Sequence, residues 1–407
     1  RNNWFSRWSW RASRVMAAVA WDRPVRHASG IHDLSVSGDV AQADLDGAVN
    51  QQEVRVFSPA GALVRHVGFA APTAIRASNV SGGFAARDAW TVSPRLQFDL
   101  GVRYDASRLA ANAPSARVGV RYTLDESGRT ALKGGVGTFV GVVPLLAAAA
   151  AGYPARIDSS FDEVSGTLLR QQELRPAGAD LRLPRARAAV VSLEREIQPG
   201  LDAQVAVTAR ASSLLPVLVM PDGNGDLRIR SEGTASYREL QLSVRRVLAH
   251  DQMVFLSYIR SSARNDLNEV TAQTFDAPLL ERGGLARNAN DAPNRVLAWG
   301  TLNLPWRMAV SPALEWHTGF PYSDRHMRYT YAGTPNGRRY PAFTSLDLVA
   351  YKTVTVREYT ADLGVQLFNA TGHWNPRDVY PVLGAPAYGQ FANSVGRILR
   401  GYMLLKW

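Results

Sequence analysis

From Pro94 to Asp105 the chain alternates with period two: Leu96, Phe98, Leu100, Val102 and Tyr104 are apolar, opposite Arg95, Gln97, Asp99, Arg103 and Asp105. Side chains of a strand point to opposite faces, so such a segment folds with one oily face and one charged face. The pattern recurs in residues 201–210, 237–246 and 358–369, where Leu201, Val205, Leu240, Leu242, Leu363 and Val365 alternate with Asp202, Gln204, Glu239, Gln241, Asp362 and Gln366. No stretch of comparable length carries helical spacing, and the expected class is all-β. Two architectures use such strands. A soluble sandwich buries the oily face as core, whereas a transmembrane barrel turns it to lipid and lines a wet lumen with the charged one.

Average composition does not separate the two. With 46% hydrophobic residues and a mean hydropathy of -0.15, the chain resembles an ordinary soluble protein, but so does a barrel whose strands are half wetted. No run of eighteen apolar residues occurs, so helical spans are excluded. The nearest candidate, Val140 to Ala155, is broken by Pro144 and Gly152, and is expected to be loop or a short helix packed in a loop.

The connections discriminate better. Short links are expected around Pro94, at Asp125–Gly128, Gln198–Gly200, Ala249–Asp251, Pro305–Trp306 and Val356–Glu358. They alternate with long ones at about Ala106–Ala113, Gly141–Arg185, Ser212–Gly233, Ala263–Ala292, Pro321–Ala342 and Ala370–Asn393. Tight turns on one side and extended loops on the other are the habit of an outer-membrane barrel, with the turns in the periplasm. The last strand agrees. Residues 397–407 put Leu399, Gly401, Met403, Leu405 and Trp407 on one face, ending the chain on an aromatic at the periplasmic rim, so Met403, Leu405 and Trp407 are expected to anchor the strand in the membrane.

Weaker strands are expected near Arg11–Trp21, Ile31–Gln42, Glu53–Pro59, Leu63–Phe69 and Ile75–Trp90. They bring the count to roughly seventeen. Single-chain bacterial barrels have even strand numbers, so an odd count predicts further strands upstream. The opening RNNWFSRWSW has neither a charged n-region nor an apolar h-region, which predicts either processing or a C-terminal piece of something longer. The expected organisation is one barrel domain over 1–407, with 141–185 as a long extracellular loop.

Cysteine is absent, so no disulfide framework or thiolate metal site is available. The net charge of +11 comes from dispersed arginines without a basic helix or basic run. This argues against nucleic acid as a partner and is compatible with contact to membrane lipid, anionic lipopolysaccharide or an anionic solute. No HExxH, GxSxG or P-loop is present, the histidines are scattered, and no cofactor or metal is expected. The stretch DGNGD at Asp222–Asp226 begins like a calcium loop, but Leu227 and Gly233 stand where that loop needs Gly and Glu, so a polar turn is the better account.

Several segments together resemble a known family. FAARDAWTVSPRLQFDLGVRYD (Phe84–Asp105) resembles the strand-turn-strand of TonB-dependent outer-membrane receptors, and ALKGGVGTF (Ala131–Phe139) is similar to the Gly-rich strand that follows in the Oar-like subgroup. ASYRELQLSVRR, NRVLAWGTLNLPW, FTSLDLVAYK and VQLFNATGHWNP are similar to further segments of that subgroup, in the same order. The likeness covers roughly Ile31–Trp407, although Gly372 stands where the usual FNxxNHxN pattern has Asn. It implies energised uptake through a plugged barrel of the Gram-negative outer membrane, with the plug and the TonB complex as partners of the full-length protein. The signal peptide, regulatory-like domain, TonB box and plug of that family are absent from this sequence.

In such a barrel Arg95, Gln97, Asp99, Arg103, Glu239, Gln241 and Arg245 would face the plug or the water path. Recognition of an unknown extracellular ligand is placed in the loop His317–Gly333, where Tyr322, Arg325, His326, Arg328, Tyr329 and Tyr331 cluster aromatic and cationic anchors. A plugless porin or adhesin-like barrel and a soluble polysaccharide-binding β protein are the alternatives.

Overall fold

The computed structural model describes residues 6–71, 73–219, 225–249, 252–266 and 284–406. The chain opens with β1 (Ser6–His27), β2 (Gly30–Gln51), β3 (Val54–Phe57), β4 (Leu63–Phe69), β5 (Thr73–Ser93) and β6 (Leu96–Ser107). It continues with β7 (Ala110–Thr123), β8 (Thr130–Val140), β9 (Arg156–Phe161), β10 (Leu168–Asp180), β11 (Arg185–Gln198) and β12 (Leu201–Val219). Next come β13 (Asp226–Val247), β14 (Met253–Asp266), β15 (Leu285–Arg287), β16 (Asn294–Leu304), β17 (Met308–His317) and β18 (Pro321–Tyr322). The last are β19 (Arg338–Arg339), β20 (Phe343–Val356), β21 (Tyr359–Phe368), β22 (Pro376–Val379), β23 (Phe391–Ser394) and β24 (Ile398–Lys406). A short helix α1 (Leu145–Ala148) runs into a 3₁₀ turn at Ala149–Gly152.

Fifteen strands form one antiparallel wall in the order β1, β2, β5, β6, β7, β8, β11, β12, β13, β14, β16, β17, β20, β21, β24. The expectation of about seventeen counted β3 and β4 as wall. They are 4 and 7 residues long, too short for the nine to eleven a tilted crossing needs, and they pair elsewhere.

Loop asymmetry holds with two corrections. On one rim every described link is tight, as at 28–29, 94–95, 124–129, 199–200, 305–307 and 357–358. On the other rim lie the links 52–72, 141–184, 318–342 and 369–397. The expected long loop at Ala106–Ala113 is instead a two-residue turn, because β6 and β7 keep pairing up to Ser107↔Ala110. The expected loop at Ser212–Gly233 is mostly strand, since β12 and β13 stay paired to Val219↔Arg228. Of the DGNGD stretch, Asp222, Gly223 and Asn224 lie outside the described residues.

Register assigns the faces. Val191, Val207 and Leu240 share one row, and Leu193, Val205 and Leu242 the next, all on the outer face and exposed. Glu194, Gln204 and Ser243 share a row on the opposite face. On β11 the outward Ala189, Val191 and Leu193 lie between Arg187 and Arg195, and on β13 the outward Leu240, Leu242 and Val244 lie between Arg238 and Arg246. Eight residues of strand span roughly 26 Å, so a tilted wall carries an apolar band close to the ~25 Å of a lipid-facing one. Val102, Tyr104, Val118, Val136, Leu363, Val365, Met403 and Leu405 continue it around the wall. Met403 and Leu405 are exposed there, while Trp407 lies outside the described residues. In water such a face would be a large apolar liability, and in lipid it is the expected wall.

A tight-rim turn shows how local chemistry sets a link. Asp125 accepts from the Thr130 backbone N–H at 3.0 Å, the Thr130 hydroxyl at 3.1 Å and the Ser127 hydroxyl at 3.1 Å. These bonds, the Thr130 N–H foremost, hold its carboxyl below the ordinary 3.8. A depressed carboxylate contributes stability above its unfolded value that is lost as pH falls through the lower folded one. Protection of the Thr130 amide, its exchange rate relative to the intrinsic rate at each pH, should therefore be high at neutral pH and fall as pH drops below the ordinary aspartate range, a pH dependence that Asp125→Asn should abolish.

Candidate functional site

The long-loop rim carries a cap. Strands β3, β4, β9 and β10 form a small antiparallel sheet, joined to the wall where β10 runs parallel to the upper end of β13, Arg175↔Asp226 to Asp180↔Arg230. Beneath it, the segment 144–153 crosses the mouth. Ala149 packs with Leu45, Val49 and Ile75, which point inward from β2 and β5. Ala147 and Ala150 pack with Ile229 of β13 on the far side. The run of small residues that looked like a helix candidate in the sequence is thus a strut, whose alanines fit where larger side chains would not. The hydroxyl of Thr73 donates to the Gly152 carbonyl at 2.5 Å and fixes one end.

Charge holds this cap together. Arg65 of β4 is bidentate to Asp158 of β9 at 2.5 and 2.9 Å, with the Arg65 side chain only 6% exposed. Arg156 lies on the same face, its guanidinium 5.5 Å from the Phe69 ring centroid. Burial pushes its pKa down to about 9, against the pull of Asp158, with Arg65 adding to the fall. Loop 318–342 docks on the cap: Arg328 donates to the Phe161 carbonyl at 2.9 Å, and Arg65 to the Arg328 carbonyl at 3.2 Å.

Beside the cap a cavity of about 440 Å³ opens at the inner lip of the wall, between the bases of loops 318–342 and 369–397. Its floor is aromatic. His317 at the end of β17 stacks on Phe343 of β20 at 4.8 Å and contacts Phe320 at 4.7 Å, with Tyr340 and Phe368 on the sides. Gly319 makes the fit possible, because a Cβ there would stand 1.8 Å from the Tyr340 carbonyl oxygen. Asp347 accepts from the Asn369 N–H at 2.9 Å and the Ser345 hydroxyl at 2.7 Å. Asn375 exchanges hydrogen bonds with the Thr344 backbone at 2.8 and 3.0 Å. Exposed Arg377 brings a cation to the edge.

Asn369 anchors the second loop. It has φ +48°, and its amide donates to the carbonyls of His373 at 2.9 Å and Val395 at 3.2 Å, tying both ends of the loop. Gly372, where the resembling family has Asn, sits at φ +68°, a conformation Gly and Asn both adopt, so the departure preserves the backbone. Asn369→Ala should cost about 1–3 kcal/mol of local stability. Faster amide exchange confined to 370–397, with the wall unchanged, is the expected readout.

The expected lumenal residues separate into wall and turn. Asp99 pairs with Arg87, Arg103 bridges Asp39 and Asp105 at 2.7 Å each, and Arg245 pairs with Asp202 at 2.7 Å, all on the inner face. Glu239 accepts from Tyr237, Gln241 reaches the Ser257 hydroxyl at 3.4 Å, and Gln97 is exposed on the same face. Arg95 lies in the tight turn, 3.2 Å from Glu126 of the neighbouring turn, rather than on the wall. An aromatic pair the alternation did not single out, Phe255 and Trp299 at 5.5 Å, also faces inward.

The expected loop anchors are largely engaged within the protein. Arg325 sits 4.1 Å from the Tyr331 ring and 5.3 Å from that of Tyr329, and its backbone is stitched to Pro381 and Leu383. Tyr322 packs edge-on against Tyr340 and Phe391. His326 is exposed, and Arg328 docks the cap. Of the cavity residues, His317 opens the loop singled out in the sequence and Phe368 and Asn369 stand in the FNATGHWNP segment, but Phe343 and Asp347 were missed and the five were not brought together, because they come from three separate strand ends, those of β17, β20 and β21. Their one sequence signal is that all lie where a strand meets a long loop.

No family model and no curated protein matches the chain. Among solved structures, it is similar to the outer membrane transporter YddB from Escherichia coli, with TM-score 0.66 and 12% identity over 98% of this chain and 55% of that one. The siderophore receptor PiuA from Acinetobacter baumannii aligns with TM-score 0.59 and 12% identity over 97% and 56%. The ferric-catecholate import receptor Fiu from E. coli aligns with TM-score 0.61 and 10% identity over 98% and 55%. The chain spans about half the length of these relatives in fold. At such identities the likeness establishes the architecture, that of outer-membrane β-barrel receptors.

Proposed function

We propose that this chain is the C-terminal and larger part of the barrel of an outer-membrane receptor that takes up a ligand from outside the cell with TonB-dependent energy. The observation that carries the reading is the cap whose strut, 144–153, packs against β2, β5 and β13 at the long-loop rim of a lipid-compatible wall. A passive porin needs an open path, whereas a receptor needs a mouth that binds and then yields. The proteins of similar fold are described as a transporter and as siderophore receptors, which supports the class of activity. Within that class the ordered Oar-like segments favour the Oar-like subgroup.

The open edges carry a second consequence. Among the described residues β1 pairs only with β2, and β24 only with β21. An open edge in lipid leaves backbone groups unsatisfied at several kcal/mol each, so further strands must close the wall. The inward ion pairs around Arg87, Arg103 and Arg245 would then meet a plug, and the cavity around His317 and Asp347 would meet the ligand.

Sequencing upstream of the Arg1 codon tests this. An in-frame region encoding strands and a compact plug is the expected result, and uptake by the protein it encodes should stop when the proton gradient is collapsed. A signal peptide directly adjoining Arg1 would sink the transporter reading and leave a porin or adhesin-like barrel.

A further inference from the structure

The outer face of the wall carries a feature the uptake reading does not use. Where β7, β8, β11, β12 and β13 pass the long-loop border of the apolar band, the outward side chains shrink to Ala116, Ala189, Ala209 and Ala211, leaving a groove of about 460 Å³. Arg187 and Arg238 flank it, and Arg260 of β14 lies one row below Arg238. All three are exposed and face outward. Among the described residues none of them pairs with a carboxylate: Arg260 donates to the Asn294 side chain at 2.8 Å, Glu232 is taken by Arg230 at 3.3 Å, and Asp266 accepts from Thr234. Elsewhere outward arginines do find partners, as Arg76 does with Asp46 at 2.7 Å.

Cations at a lipid border without carboxylates are matched by phosphate, which takes guanidinium bidentately. We propose that this groove binds a phosphorylated glycolipid of the outer leaflet, the lipid A portion of lipopolysaccharide. Its phosphates are held by Arg187, Arg238 and Arg260, and its sugar or acyl base lies along the alanine floor. The proposal rests on the membrane orientation given above. Phosphatidylglycerol offers one phosphate and no rigid disaccharide, so it fits the pair of flanking arginines less well.

The test uses the full chain with whatever closes its wall, purified in mild detergent, with bis-phosphorylated lipid A as the probe. Heat-modifiable migration first establishes that the barrel has formed, and its absence would overturn the membrane reading along with this one. Given a formed barrel, the Arg187→Gln, Arg238→Gln double variant should lose about tenfold or more in affinity, given the strength of charge-assisted hydrogen bonds. The Arg195→Gln, Arg246→Gln variant at the opposite border should bind normally. Ala209→Trp, which fills the groove without changing charge, should weaken binding comparably. Equal binding by the wild type and both groove variants would overturn the site. So would equal affinity for dephosphorylated lipid A or for phosphatidylglycerol.

Discussion

Asp158→Asn should release the cap from the mouth. Asp158 is the carboxylate gripped by buried Arg65 and pulling on buried Arg156, so neutralising it leaves two guanidinium charges with the burial cost and without their shared counter-charge. Removing one partner of a buried pair costs about 3–5 kcal/mol. The small sheet has few other resources, since β3 and β4 contribute 4 and 7 residues and the helix beneath has 4. Amide exchange and proteolysis should therefore rise across 54–69 and 156–174, while the wall strands keep their protection. A companion Arg156→Met should cost less, because Asp158 keeps Arg65 as its bidentate partner. Equal protection of the cap in Asp158→Asn and wild type would show that apolar packing around Val67 and Leu174 holds it instead.

The contrast between cap and wall explains what could be read from the amino-acid order. Wall strands announce themselves because each has two unlike neighbours, lipid and water, and the alternation that results is local. Leu96–Tyr104 and Leu399–Leu405 needed no partner to be assigned a face. Cap strands show the same period, so Leu63–Phe69 was counted as wall. Its true partner, Arg156–Phe161, lies some ninety residues away in sequence, and only that pairing reveals that Arg65 and Val67 face a protein interior. The turn at 108–109 was hidden for a related reason. Ala110 to Pro114 are small and polar enough to read as loop, yet β6 supplies hydrogen bonds through that stretch. The assembly of the cavity was beyond local reading, because His317, Asp347 and Asn369 come together only through the order of strands β17, β20 and β21.

Which face meets lipid is decided most directly by moving a charge one residue along a strand. Leu242 points outward in the middle of the apolar band, and Gln241 points inward toward Ser257. An arginine on the lipid face near the bilayer midplane costs about 2–4 kcal/mol, whereas lumenal substitutions leave the membrane interaction intact. Leu242→Arg should therefore lower unfolding stability in phospholipid vesicles by that amount, and Gln241→Arg should change it little, with Ser243 and Gln204 offering hydrogen-bond partners nearby. In a soluble sandwich the order would not simply reverse: Leu242→Arg would bury a charge in a core and prevent folding in any solvent. The vesicle measurement and a parallel one in detergent-free buffer thus separate the two architectures, because only a barrel depends on the bilayer for its stability. A wild-type chain equally stable in both media would mean that the exposed apolar face is covered by protein, and the lipid-facing wall would have to be abandoned.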